Sequence, residues 1–188
     1  MLTNLPNMLT IFRVVVVPLL VVLFYIGGAT AIWTAVVIFA LAGASDYLDG
    51  YFARTMKQTS DFGRFLDPIA DKLIVIVSLM LVIGFGHLQG YWILAAIIIV
   101  AREIMVSGLR EFLGPYKITV PVTKLAKWKT TVQMLFLGFL IAGPYGPTLV
   151  PYAEEIGRYG LVLAAIVTVI TGWDYMKSGY KTVKELDS

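Results

Sequence analysis

Residues 30–54 read TAIWTAVVIFALAGASDYLDGYFAR. The segment 30–45 has no charged residue, and Asp46, Asp49 and Arg54 then follow within a short distance. A helix that crosses the hydrocarbon core of a bilayer needs about 20 mostly apolar residues. The stretch therefore predicts a membrane-spanning helix that ends in acidic residues at the membrane edge.

The rest of the chain has the same character. Of its 188 residues 59% are hydrophobic and only 14% are charged, whereas soluble domains are about a quarter charged. We expect residues 1–188 to form a single all-α transmembrane domain in the lipid bilayer, without a nucleic-acid partner. The segment 1–10 lacks the basic residues of a cleavable signal peptide, so we expect the first helix to be retained.

Hydropathy and turn residues predict six transmembrane helices. They cover about 8–27, 30–54, 68–85, 91–111, 124–142 and 152–177. With an even number of spans, every Lys and Arg except Arg158 lies on one side of the membrane or in the half of a helix nearer to it. Positive residues mark the cytoplasmic side, so both termini are predicted to be cytoplasmic.

Four aspartates flank the loop between the second and third predicted helices. Asp46 and Asp49 are three residues apart, and Asp67 and Asp71 are four apart, so each pair lies on one helix face. Four close carboxylates repel one another and need cations nearby. One or two hard divalent ions would offset them, and an oxygen-only donor set suits Mg²⁺, Mn²⁺ or Ca²⁺. Zinc is disfavoured because the chain has no Cys and its one His, His87, falls at the other membrane face.

Small residues and an arginine interleave with these aspartates. Gly50, Ala53 and Gly63 permit close approach of a ligand or of another helix. Arg54 follows Gly50 by one turn and could hold a phosphate through its planar guanidinium. The set describes a diphosphate site, although ordinary helix packing also explains the small residues.

The complete pattern resembles the signature of the CDP-alcohol phosphotransferase family. It reads Asp46-x2-Asp49-Gly50-x2-Ala53-Arg54-x8-Gly63-x3-Asp67-x3-Asp71. The resemblance implies a six-helix enzyme, usually a homodimer, in which the four aspartates hold two divalent ions, Mg²⁺ or Mn²⁺. It further implies that Asp71 is the catalytic base, and that Gly50, Ala53, Arg54 and Gly63 bind the CDP-activated donor.

Basic residues in the fourth and fifth predicted helices bear on the acceptor alcohol. We expect Arg110, Lys124 and Lys127 to bind a phosphate group on the acceptor. A zwitterionic acceptor such as serine would need fewer positive residues. Segments 4–13 and 101–110 resemble bacterial members of the family that use sn-glycerol 3-phosphate. The implied reaction moves the phosphatidyl group of CDP-diacylglycerol to that acceptor and releases CMP at the cytoplasmic face of the inner membrane.

Other interpretations stay open. Asn7 and Thr10 are candidates for contact with the donor, and capping of the first helix explains them equally well. Another acceptor, such as inositol phosphate or serine, would keep the aspartate chemistry. A small ion transporter is a further alternative, although the aspartates all fall at one end of the spans.

Overall fold

The structure is a computed structural model that describes residues 5–56, 61–114 and 124–186. Within these ranges, some helical residues are described by their backbone alone. They are 5–6, 46–56, 61–62, 64, 124–127, 174, 178 and 180–186.

Six long helices account for nearly all of the described residues, as predicted. They are α1 (Leu5–Ile26), α2 (Gly28–Met56), α3 (Asp61–Gly84), α4 (Ile93–Leu113), α5 (Lys124–Ala142) and α6 (Ala153–Leu186). Short 3₁₀ turns at Gly90–Trp92 and Gly143–Thr148 precede α4 and follow α5. No strand occurs in the described ranges, which confirms the all-α class.

Glycine allows the abrupt turn between the first two helices. α1 ends at Ile26, and Gly27 and Gly28 have φ values of 68° and 78°. These values lie in the left-handed region, which side chains with a Cβ atom rarely occupy. The chain therefore reverses between α1 and α2 without a longer loop.

One predicted boundary is wrong. α3 begins at Asp61 and not near Pro68, because a proline within a helix removes only the hydrogen bond to the carbonyl of residue 64. Asp67 and Asp71 consequently lie in the second and third turns of α3. The predicted span of about 152–177 agrees with the segment of α6 that is apolar enough to cross a membrane, Ala153–Lys177, and the helix itself continues beyond it to Leu186.

Four helical segments within the described residues are long and apolar enough to cross a membrane. They are Asn7–Ile26, Gly28–Ser45, Gly90–Leu113 and Ala153–Lys177. Many large apolar side chains on them are exposed, among them Val22, Ile97 and Ile166, as expected of surfaces that face lipid. α3 and α5 carry charged residues in their first turns, which shorten their apolar stretches. The count of six spans and the cytoplasmic termini stay predictions.

The chain divides into two compact units. The first unit comprises residues 1–88 and 137–157, and the second comprises 89–136 and 158–188. In the first unit α1 packs against α2 and α3, with Leu20 and Leu79 in its core.

In the second unit α4 and α6 run in the same direction. The Trp92 and Tyr159 rings meet edge to face at 5.0 Å, and Arg102 packs on Gly172 farther along both helices. A Cβ atom at Gly172 would lie 2.9 Å from Arg102 Cγ, so glycine permits this close approach.

Candidate active site

Three polar residues form a buried stripe on the first helix. Asn7, Thr10 and Arg13 are spaced three residues apart on α1 and are all buried. Residues three apart in a helix lie on nearly the same face. The rest of α1 is largely apolar, so this stripe is the part of the helix that can engage charged groups.

The stripe meets the two aspartates of α3. The Thr10 hydroxyl donates a hydrogen bond to Asp67 Oδ1, and an Arg13 Nη atom pairs with Asp71 Oδ1. The other Arg13 Nη atom lies 3.5 Å from Asp67 Oδ1. We call these four residues, Thr10, Arg13, Asp67 and Asp71, the carboxylate site.

Burial differs sharply between the two sides of the carboxylate site. The Arg13 side chain is 2% exposed, whereas the side chains of Asp67 and Asp71 are each 47% exposed. Burying a guanidinium is costly unless anions compensate for its lost hydration, and here two carboxylates do so. Each carboxylate keeps about half of its surface accessible to a ligand that arrives from outside the α1–α3 contact.

The described part of the predicted metal set fits a hard divalent ion. Asp67 and Asp71 offer carboxylate oxygens one helical turn apart, the ligand type that Mg²⁺ and Mn²⁺ prefer. No three acidic or His side chains come together among those the structure describes. The side chains of Asp46 and Asp49 lie outside that set, but their backbone is helical in α2, which keeps them on one helix face.

The predicted donor-binding residues lie near the junction of α2 and α3. Gly50, Ala53 and Arg54 occupy the last turns of α2, where side chains are outside the described set. Gly63 is buried in the first turn of α3. Thr10 is predicted to contact the donor, and that role stays a prediction. In the structure its hydroxyl contacts Asp67, a predicted metal ligand.

A second charged cluster lies in the second unit. Lys129 of α5 donates a hydrogen bond to Glu103 Oε1 of α4, and Arg102 Nη1 lies 3.4 Å from the same oxygen. The Lys129 and Glu103 side chains are 4% and 19% exposed. Sequence reasoning did not pair these residues, although an acid inside an apolar helix is itself a signal that a partner exists.

The predicted acceptor residues are described only in part. Arg110 is exposed on α4, and its guanidinium lies 6.0 Å from the centre of the Tyr175 ring, within the range of a cation–π contact. Lys124 and Lys127 lie in the first turn of α5, and their side chains are outside the described set. Whether these three bind an acceptor stays a prediction.

Comparison with known proteins identifies the family. The sequence profile of the CDP-alcohol phosphatidyltransferase family matches residues 3–173. The chain belongs to this family. The matched region contains both the carboxylate site and the Glu103–Lys129 pair.

Several relatives of this phosphatidyltransferase carry one functional name. The chain is 42% identical to a protein of Rickettsia typhi, over 93% of this chain and 96% of the relative. It is 37% identical to a protein of Cereibacter sphaeroides over 97% and 98% of the two chains. It is 39% identical to a protein of Haemophilus influenzae over 93% and 90%. Each relative is named CDP-diacylglycerol–glycerol-3-phosphate 3-phosphatidyltransferase.

Proposed function

We propose that this membrane enzyme transfers the phosphatidyl group of CDP-diacylglycerol to sn-glycerol 3-phosphate, giving phosphatidylglycerophosphate and CMP. The observation that carries the proposal is that Asp67 and Asp71 come together at Arg13 to form one half-exposed carboxylate site. The chain that holds this site matches its named relatives over nine-tenths or more of both lengths. The shared name fixes the substrates of those relatives, and the aspartates supply the chemistry that such a transfer needs.

Asp46, Asp49, Asp67 and Asp71 would hold two divalent ions, Mg²⁺ or Mn²⁺. When bound, such ions neutralise charge that develops on the attacking and leaving oxygens of a phosphoryl transfer. About half of the Asp67 and Asp71 side-chain surface is accessible for binding these ions. Thr10 and Arg13 hold the two carboxylates in orientation from α1.

Asp71 is the residue proposed to accept the proton of the acceptor hydroxyl. The hydroxyl oxygen attacks the β-phosphorus, which carries the diacylglycerol, and the bond from that phosphorus to the oxygen of CMP breaks. The proton moves to a carboxylate oxygen of Asp71 and later passes to water. A carboxylate can do this if it reaches the hydroxyl within hydrogen-bond distance, and the exposure of Asp71 leaves room for that approach.

The donor and acceptor sites extend from this centre. Gly50, Ala53 and Gly63 are proposed to make room for the cytidine diphosphate group, with Arg54 on its phosphates and Asn7 nearby. The acceptor phosphate is proposed to bind Arg110, Lys124 and Lys127, since guanidinium and ammonium groups form charge-assisted hydrogen bonds with phosphate. We further propose a homodimer in the bacterial inner membrane with its site on the cytoplasmic side.

The test is CMP release by the purified protein in detergent, with CDP-diacylglycerol and Mg²⁺ present. Glycerol 3-phosphate, serine, inositol phosphate and inositol are offered separately. We expect release with glycerol 3-phosphate alone, and none after chelation of the metal. Release with a different alcohol would keep the aspartate chemistry and refute the acceptor, whereas no release with any acceptor by folded, metal-loaded protein would refute the reaction.

A further inference from the structure

Arg13 orients two residues that are central to the proposed reaction, but the effect of its positive charge on that site has not yet been assigned. It is the one charged residue of α1, and its side chain is almost fully buried. A buried arginine in an otherwise apolar helix is costly and usually serves function. Its Nη atoms reach Asp71 and Asp67, which are proposed metal ligands on α3.

The arginine engages the same type of atom that a metal ion would bind. Among its described contacts are those to Oδ1 of Asp67 and Oδ1 of Asp71. Two carboxylates one helical turn apart repel each other, and an opposite charge between them offsets that repulsion. The guanidinium therefore does for the metal-free site what a divalent ion does for the loaded one.

We propose that Arg13 is a built-in counter-ion of the metal site. Because it competes with divalent ions for Asp67 and Asp71, Arg13 lowers the affinity of the site for those ions. This inference rests on the proposed function, because it takes these aspartates as metal ligands. Arg13 is a positioning residue here and not a catalytic residue. Its positive charge offsets the repulsion between the two carboxylates when no metal is bound. When divalent ions bind, the same charge repels them.

The consequence for the reaction is a coupling between metal and donor. Two divalent ions balance four aspartates, so the Arg13 charge leaves the loaded site with an excess positive charge. The donor diphosphate is an anion and would neutralise this excess. A site of this kind holds its ions more tightly when the donor is present than when it is absent.

The experiment measures thermal unfolding and Mg²⁺ binding of Arg13→Gln, Arg13→Lys and the unchanged protein. Each is purified with Mg²⁺, stripped with chelator and titrated with Mg²⁺ in detergent, and binding is read from the rise in melting temperature. Arg102→Gln is the matched control, because Arg102 is also a poorly exposed helical arginine beside a carboxylate, Glu103.

We expect Arg13→Gln to lower the melting temperature of the metal-free protein and to tighten Mg²⁺ binding about tenfold, which corresponds to about 1.4 kcal/mol. Arg13→Lys keeps the charge and should bind Mg²⁺ nearly as the unchanged protein does. Arg102→Gln should lower the melting temperature equally with and without Mg²⁺.

The inference would be overturned if Arg13→Gln bound Mg²⁺ no more tightly than the unchanged protein, while the melting temperature of the unchanged protein still rose with Mg²⁺. The proposed function would not be affected by that result. Weaker binding would mean that Arg13 organises the ligands and does not compete with the ions. If the unchanged protein responds to neither Mg²⁺ nor Mn²⁺, the metal site of the proposed function fails and the inference fails with it.

Discussion

Replacing Glu103 by Gln should destabilise the protein more than replacing its partner Lys129 by Met. Breaking a buried ion pair by removing one partner costs about 3–5 kcal/mol, because the other charge stays buried without compensation. The Lys129 side chain is 4% exposed, so its ammonium group cannot regain hydration without local unfolding. Glu103 is 19% exposed, which places the expected cost of Glu103→Gln at the lower end of that range, about 3 kcal/mol.

The asymmetry between the two substitutions comes from Arg102. Its Nη1 atom lies 3.4 Å from Glu103 Oε1, so in Lys129→Met the carboxylate keeps a cation and the cost should be about 1–2 kcal/mol. In Glu103→Gln, by contrast, Lys129 and Arg102 both lose the one carboxylate that pairs with them among the side chains the structure describes. The double variant removes both members of the pair and should lie closer to the unchanged protein than the sum of the single variants predicts.

The assay is unfolding by denaturant in mixed micelles, followed by far-ultraviolet circular dichroism. Glu111→Gln is the control, because Glu111 is exposed on the same helix and its loss should change stability by about 0.5 kcal/mol or less. Equal costs for Glu103→Gln and Lys129→Met, or strictly additive costs in the double variant, would refute the view that Glu103 holds two cations.

Three further predictions concern the site and the helix packing. Asp71→Asn should lower kcat about 100-fold or more while CDP-diacylglycerol still binds, since an amide cannot accept the proton; complete loss of donor binding in a binding titration would instead make Asp71 mainly a metal ligand. Arg110→Ala should raise KM for glycerol 3-phosphate in the CMP-release assay, and an unchanged KM would remove Arg110 from the acceptor site. Gly157→Ala should cost about 1–3 kcal/mol of unfolding free energy, because its Cβ atom would lie 2.9 Å from Leu140 Cγ. Gly138→Ala, which meets nothing within 4 Å, should be neutral or stabilising, and equal effects of both in the unfolding assay would contradict this packing.

The carboxylate site differs from its sequence-based prediction in where it lies on the helix. An α3 that begins at Asp61 places Asp67 and Asp71 beyond its first turn, where α1 packs against it. Side chains at these positions can meet a partner helix, and Arg13 supplies that contact. Had α3 begun near Pro68, Asp67 would have preceded the helix.

The sequence by itself determined the helical class, the number of helices and the pairing of aspartates by helical face. These follow from local rules, because apolar length predicts helices in a bilayer and a spacing of three or four residues predicts a shared face. The aspartate signature also sufficed to predict the family, which the profile match over residues 3–173 confirms.

Only the tertiary structure decided which charges neutralise one another. Arg13 and Asp71 are separated by 58 residues, and Lys129 and Glu103 by 26, so no local pattern relates them. Their pairing depends on which helix faces meet, and that is set by the packing of whole helices. Burial makes each pairing energetically necessary, because a charge removed from water in an apolar bundle requires an opposite charge within reach.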